Sequence, residues 1–355
     1  MRKFTLHETT AAPCRSLQPH SKSPLCEHED IVLTLILSTT VGLAAVTSFS
    51  ITPSATDPKI KTFTDPHWVY VNRDIIVEHT ENLSQDRHEL LVFLPGTGGK
   101  ADGAKGFLNL AADLGYHAMN LMYPDDTPAT VCRNDSNPQS FEKFRMAIIR
   151  GGNATYRDGQ SKISIDPAES IENRLIKLLR LLQQKRPREN WEQFLTADGS
   201  LKWKSIAIAG QSQGGGHAAL MGIKHPVARV ICFGSPKDYN NRLNAPAAWH
   251  GEKSATPKSR FFAFNHHQDP KGCTPKQLLQ NLDALGLSAF GSPTEVDAQP
   301  PPYNHARILY TSYPEVTVAG EVSDGAKIAH GSPVSTKNAI RWEGVWTYML
   351  TESSQ

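Results

Sequence analysis

The stretch Ser205–Ile223 restricts the fold more than any other part of this chain. It reads SIAIAGQSQGGGHAALMGI, an apolar strand-like run that passes into a helical pattern with no loop between them. Gly210 and Gly214 stand two residues before and two residues after Ser212. A strand can turn this sharply into a helix only where its backbone comes close to neighbouring elements, so both positions have to be small. The serine between them is then lifted above the end of the sheet, at a helix N-terminus that favours negative charge. A strand that is apolar on both faces belongs in the interior of a parallel sheet.

The rest of the chain shows the matching alternation. Glu89–Pro95 (ELLVFLP) reads as a buried strand, Gly103–Gly115 as a helix and His117–Pro124 as the next strand. Ile171–Gln184 carries Leu and Ile at helical spacing, after an Asp166-Pro167 start that suits a helix cap. Past the Ser212 unit come strands at Arg229–Ser235 and Arg260–Asn265 and a helix at Pro275–Leu285. A strand at Arg307–Tyr313 and a closing helix at Asn338–Leu350 complete the series. His67–Val71 and Asp74–His79 are expected to form an opening hairpin. This order predicts an α/β protein with a mostly parallel, twisted sheet and helices on both faces, in one domain over residues 66–352. Right-handed crossovers then gather the functional loops at the carboxyl ends of the strands. Two connections are long, Asp125–Pro167 and Pro236–Ser259, and are candidates for lid or pocket.

Ser212 is a nucleophile candidate, and acyl transfer through it needs donors for a developing oxyanion. The backbone N–H of Gln213 is one. The other is expected from Pro95-Gly96-Thr97-Gly98-Gly99, the loop after the first parallel strand, with Thr97 as the donor and Gly98 next. One such donor stabilises a transition state by roughly 3–4 kcal/mol. A phosphate-cradling reading of that loop fails because no Lys-Ser/Thr follows in register.

On GQSQG with its flanking strand and helix, and on LPGTGG, the chain resembles the α/β-hydrolase superfamily of serine hydrolases over roughly residues 68–350. The run GQSQGGGHAAL is similar to that of small secreted hydrolases in the superfamily. The resemblance implies the α/β-hydrolase fold and cleavage of an ester or amide through an acyl-enzyme on Ser212, as in a carboxylesterase or lipase. It implies no cofactor and no metal. It also implies the chain order nucleophile, acid, histidine. That order places the acid at Asp269, after the strand Arg260–Phe264, with Glu295 and Asp297 as rivals. The base falls at His330, after the last strand and before the closing helix. His305 lies at the wrong end of its strand, and His217, His266 and His267 read as packing or loop residues. The competing function is a non-catalytic protein of the same fold that binds a ligand or partner. An Asp nucleophile is disfavoured because Ser occupies the turn.

Composition narrows the partners. The 355 residues are 39% hydrophobic and 20% charged, which suits a globular chain, and the net charge is only +2. No basic stripe appears, so nucleic acid is not an expected partner, whereas a small-molecule or polymer ester is. His266-His267 lacks the i,i+4 partner or CxxC of a zinc site. Arg133, Arg145, Arg150 and Arg157 are candidates to meet an anionic substrate group, with solvated roles as the alternative. Trp249 is read as packing, with a pocket-lining role second. Oligomeric state has no sequence signature here.

Ahead of the domain, a polar segment over 1–30 precedes an uncharged run from Ile31 to Phe49, about the length that crosses a bilayer. Residues 31–50 are read as a signal peptide removed by cleavage after Ser50 or Ala55, and 51–65 as a linker. The second reading is a single membrane anchor through 31–49 with the domain outside, so both place the domain beyond the cytosol. Of five cysteines, Cys14 and Cys26 precede the apolar run. Cys232 reads as a small hydrophobe inside a strand. Cys132 and Cys273 fall in loops at one end of the sheet, where an oxidising compartment allows a disulfide between them.

Overall fold

The computed structural model describes residues 46–76, 86–313 and 325–353. The chain enters on β1 (Val46–Ile51), a short helical turn α1 (Pro53–Thr56), β2 (His67–Asn72) and a second short turn α2 (Arg73–Ile76). Then follow β3 (Leu90–Leu94), α3 (Lys105–Asp113) and β4 (His117–Asn120). The long connection after β4 holds α4 (Ser140–Arg150) and a hairpin, β5 (Gly152–Tyr156) and β6 (Ser161–Ile165), before α5 (Ile171–Lys185). The central unit is β7 (Ile206–Gln211), α6 (Gln213–Lys224) and β8 (Arg229–Phe233). A small ladder of β9 (Tyr239–Asn240) and β10 (Ala245–Pro246) precedes β11 (Phe261–His266) and α7 (Pro275–Ala284). The chain closes with β12 (Thr294–Glu295), β13 (Ile308–Thr311), α8 (Gly325–Gly331) and α9 (Ala339–Thr351).

Among the described residues nine strands form one sheet in the order β1-β2-β4-β3-β7-β8-β11-β13-β12. From β4 to β12 every neighbouring pair is parallel, whereas β2 runs antiparallel to both β1 and β4. Consecutive strand residues serve two different cores, as the period of two requires. Leu90, Val92, Leu94, Ile206, Ile208, Val230 and Cys232 pack on the side of α4, α5 and α6. Leu91, Phe93, Ala207, Ala209, Ile231 and Phe233 pack on the other side, with α3 and α9. This burial of both faces is why the strands read as unbroken apolar runs. The sheet, its single reversed strand and the crossover helices have the α/β-hydrolase fold.

Several expectations need correction. The opening hairpin does not form: β2 pairs with β1 and β4, and residues 74–76 are helical. The remainder of its expected second strand, 77–79, lies outside the described residues. The start of the domain also moves. Val46–Ile51, taken as the end of the apolar leader and the first residue of a linker, is an edge strand with a six-residue register on β2. The guanidinium of Arg186 sits 3.6 Å above the ring of Phe49. Cleavage after Ser50 or Ala55 would therefore remove a strand from the sheet. The apolar residues 31–45 lie outside the described residues. Among the described residues no helix is long and apolar enough to cross a membrane.

Residues 51–65, expected to be a linker, are bound to the domain through a buried ion pair. Arg174 on α5 is fully buried and donates to Glu169 Oε2 at 2.6 Å. It also donates to the Thr62 carbonyl, Thr64 Oγ1 and the Met122 carbonyl. Glu169 Oε1 in turn accepts the N–H groups of Lys61 and Thr62. The cap of α5 is one step later than expected: Asp166 caps the 3-10 turn Pro167–Glu169, and Ser170 Oγ accepts the Asn173 N–H. Removing one member of a buried ion pair strands the other. Arg174→Ala should thus lower stability by about 3–5 kcal/mol in denaturant unfolding, and a loss below about 1 kcal/mol would contradict this role.

Candidate active site

The turn from β7 to α6 holds Ser212 at φ 54° and ψ −115°, a backbone conformation rare for a residue with a side chain. It is made possible by close packing on both sides. A Cβ at Gly210 would collide with the backbone of Gly214 and Gly215, and one at Gly214 with the carbonyl oxygens of Leu94 and Pro95. The Ser212 N–H donates to the Phe233 carbonyl at 2.9 Å, which ties the turn to the end of β8.

Gln213 is buried, and its side chain joins the two loops beside the turn. Its Oε1 accepts from Thr97 Oγ1 at 3.0 Å and from the Ala129 N–H at 2.7 Å, while its Nε2 donates to the Thr127 carbonyl. The two residues expected to supply oxyanion donors are thereby linked, and neither N–H donates to a described residue. The Gly99 N–H bonds to Asp125 Oδ2 at 3.2 Å, and burial pushes the Asp125 carboxyl up to about 6 in spite of that bond.

His330 lies in α8 rather than in a loop, next to the turn. Gln211 Nε2 donates to its carbonyl at 3.2 Å. Its Nδ1 is 2.7 Å from Asp269 Oδ2, and Asp269 is 1% exposed. Gly234, the residue after Phe233, stands beside this pair: a Cβ there would be 3.3 Å from His330 Nδ1 and 3.4 Å from Asp269 Oδ2. The rivals of Asp269 are engaged elsewhere. Glu295 pairs with His267, and Asp297 accepts from Thr311 Oγ1 and the Ser312 N–H. Burial alone would raise the Asp269 carboxyl, but the His330 hydrogen bond and the charge of Lys237 outweigh it and hold it below the usual carboxylate range. Lys237, whose Nζ is 2.8 Å from Asp269 Oδ2, was invisible to motif reading because it lies in the irregular loop after β8.

The other expected residues separate by burial. Arg145 is buried and makes a bidentate pair with Asp238, at 2.6 and 2.5 Å. It also donates to the Gln213 carbonyl at 2.8 Å, so it buttresses the turn instead of facing substrate. Arg150 pairs with Glu172 and approaches His225. Arg133 and Arg157 line an open pocket of about 420 Å³ with Thr130, Asn134 and Gln160. Trp249 is buried, donates to Asp238 Oδ2 and stacks on His250. His217 packs edge-on against Tyr123, and burial beside Arg145 pushes its imidazole well below its usual value. His305 pairs with Glu352, and His266 Nε2 lies 3.1 Å from the Tyr313 carbonyl. Cys132, Cys232 and Cys273 are free and buried, so the Cys132–Cys273 disulfide does not form. Burial pushes both thiols up to about 12. No metal-ligating group of His, Cys, Asp or Glu occurs among the described residues.

No protein-family model matches the chain, and no curated protein matches it. Solved structures do match. Among them is a Klebsiella pneumoniae subsp. pneumoniae MGH 78578 protein provisionally described as a dienelactone hydrolase. It is 11% identical, with a TM-score of 0.40, over 85% of this chain and 98% of that one.

The packing around Gly214 gives a direct expectation. Gly214→Ala places a methyl group against two rigid carbonyls, and should cost about 3 kcal/mol of stability or more. An alanine variant with the parent's thermal midpoint would mean that the turn and β3 are not in this contact.

Proposed function

We propose that this chain is a serine hydrolase that cleaves an ester or amide through an acyl-enzyme on Ser212. The observation that carries the reading is the 2.7 Å bond between His330 Nδ1 and a buried Asp269, beside a serine held at positive φ. Accepting the Nδ1 proton fixes the tautomer in which Nε2 is the free base. His330 then takes the proton of Ser212 Oγ as that oxygen attacks the substrate carbonyl. The N–H groups of Gln213 and Thr97 receive the oxyanion. His330 returns the proton to the leaving group, and a water molecule activated by the same imidazole releases the acid and restores Ser212. Asp269 stabilises the imidazolium without taking up the proton itself.

The same reading extends to substrate and place. The substrate is a small or polymeric ester or amide, and Arg133 and Arg157, which line one open pocket, are the candidates to meet an anionic part of it. Export rests on the uncharged run that begins at Ile31, with any cleavage falling ahead of β1.

The test uses a fluorophosphonate probe, which needs no knowledge of the substrate. The folded chain should be labelled, and Ser212→Ala should abolish labelling. A folded chain that resists the probe would leave a non-catalytic binding protein as the better account. Once a substrate ester is found, His330→Ala and Asp269→Asn should each lower turnover by about 10³–10⁴-fold in a chain that still unfolds cooperatively, with a lower thermal midpoint in Asp269→Asn because it leaves the buried Lys237 ammonium without its charge partner. Near-parental turnover in either would reassign that partner.

A further inference from the structure

The carboxylate that holds His330 also holds a buried ammonium. Lys237 Nζ is 2.8 Å from Asp269 Oδ2, the same oxygen that His330 Nδ1 approaches at 2.7 Å. The Lys237 side chain is 5% exposed. The other oxygen, Oδ1, accepts the Lys271 N–H at 3.0 Å, so the carboxylate cannot rotate freely. A buried ammonium is unfavourable unless a charge or several acceptors compensate it. Among the described residues its ion-pair partner is the residue that orients the imidazole.

We propose that Lys237 is a positioning residue that sets the pH range in which His330 serves as base, on the hydrolytic reading of Ser212, Asp269 and His330. A lone carboxylate beside an imidazole favours the imidazolium, and so restricts the free base to higher pH. Lys237 opposes this. Bonded to one oxygen, its ammonium and the imidazole nitrogen are no more than about 5.5 Å apart, well inside the range where two positive charges repel strongly in a buried site. Lys237 therefore opposes a second positive charge on the imidazole while still holding the carboxylate in place.

The other charged groups nearby have separate commitments. Asp238, next in the loop after β8, is paired with Arg145. Arg133 reaches in from the loop after β4 and lies within electrostatic range of Cys273, whose thiol stays protonated because burial pushes it up to about 12. At the end of β11, His267 is paired with Glu295 and His266 approaches the Tyr313 carbonyl. Replacing Lys237 leaves the Asp238–Arg145 and His267–Glu295 pairs in place, and loss of its charge only pushes the Cys273 thiol further up, so that thiol stays protonated.

The experiment is the second-order rate of fluorophosphonate labelling of the full chain as a function of pH. In Lys237→Met, Ser212 should still be labelled at high pH, and the acid limb should move up by about one to two pH units. Lys237→Arg, which restores the positive charge, should return the limb toward the parent's. Should Lys237→Met lack a cooperative thermal transition, Lys237→Gln keeps a donor for Asp269 without the charge and carries the same expectation. A residue that is merely structural would lower the thermal midpoint and the plateau and leave the limb in place. Coincident limbs in the parent and the neutral variant would overturn the assignment. Absence of labelling in the parent chain would overturn the hydrolytic reading and this assignment with it.

Discussion

The contact on which this architecture turns is the approach of the first turn of α6 to the carboxyl end of β3. Gly214 lies against the Leu94 and Pro95 carbonyls with no room for a side chain. Because the two backbones meet there, the loop after β3 is brought beside Ser212, and Thr97 can reach Gln213. A loop held only by its own turn hydrogen bonds would sample many positions. One packed against a helix N-terminus has few. The strain at Ser212 is then the consequence of a turn defined from both sides, at a position where a loosely held chain would relax.

Buried charges do the second part of the positioning. Arg145 bonds to Asp238 and to the Gln213 carbonyl, so a residue from the long connection after β4 supports the turn from the helix side. Gly216 is small for this reason, since a Cβ there would overlap the Arg145 guanidinium. Arg174 does the same for the segment between β1 and β2. Asp269, between His330 and Lys237, is the third such group. In each case an irregular segment that no backbone ladder could hold is fixed by a charged side chain whose desolvation is compensated on several sides.

Features that depend on local chemistry were legible. The strands β3, β4, β7, β8, β11 and β13 were legible because they are buried on both faces, and α5 because its stripe of Leu and Ile faces a core. The rest depended on distant partners. Nothing in His67–Val71 says that its neighbours will be β1 and β4 in place of the following residues. The apolar character of Val46–Ile51 serves an edge strand as well as a leader, and only pairing with β2 tells them apart. His330 was expected in the loop between the last strand and the closing helix, where the short α8 forms. The chain order that put an acid and a histidine after Ser212 selected Asp269 among three carboxylates, and the structure joins it to His330. That order held no hint of Lys237, because a lysine in a loop looks the same whether it faces water or a buried carboxylate.

By itself, then, the sequence determined the class of fold, the sharp turn at Ser212 and the glycines that permit it, since these follow from short-range sterics and the period of two in a buried strand. Tertiary structure alone decided where the domain begins, which arginines are interior, that Cys132 and Cys273 are free thiols, and that Asp269 holds both His330 and Lys237. Those outcomes depend on desolvation and on contacts between residues tens to hundreds of positions apart, and neither is written in any local pattern.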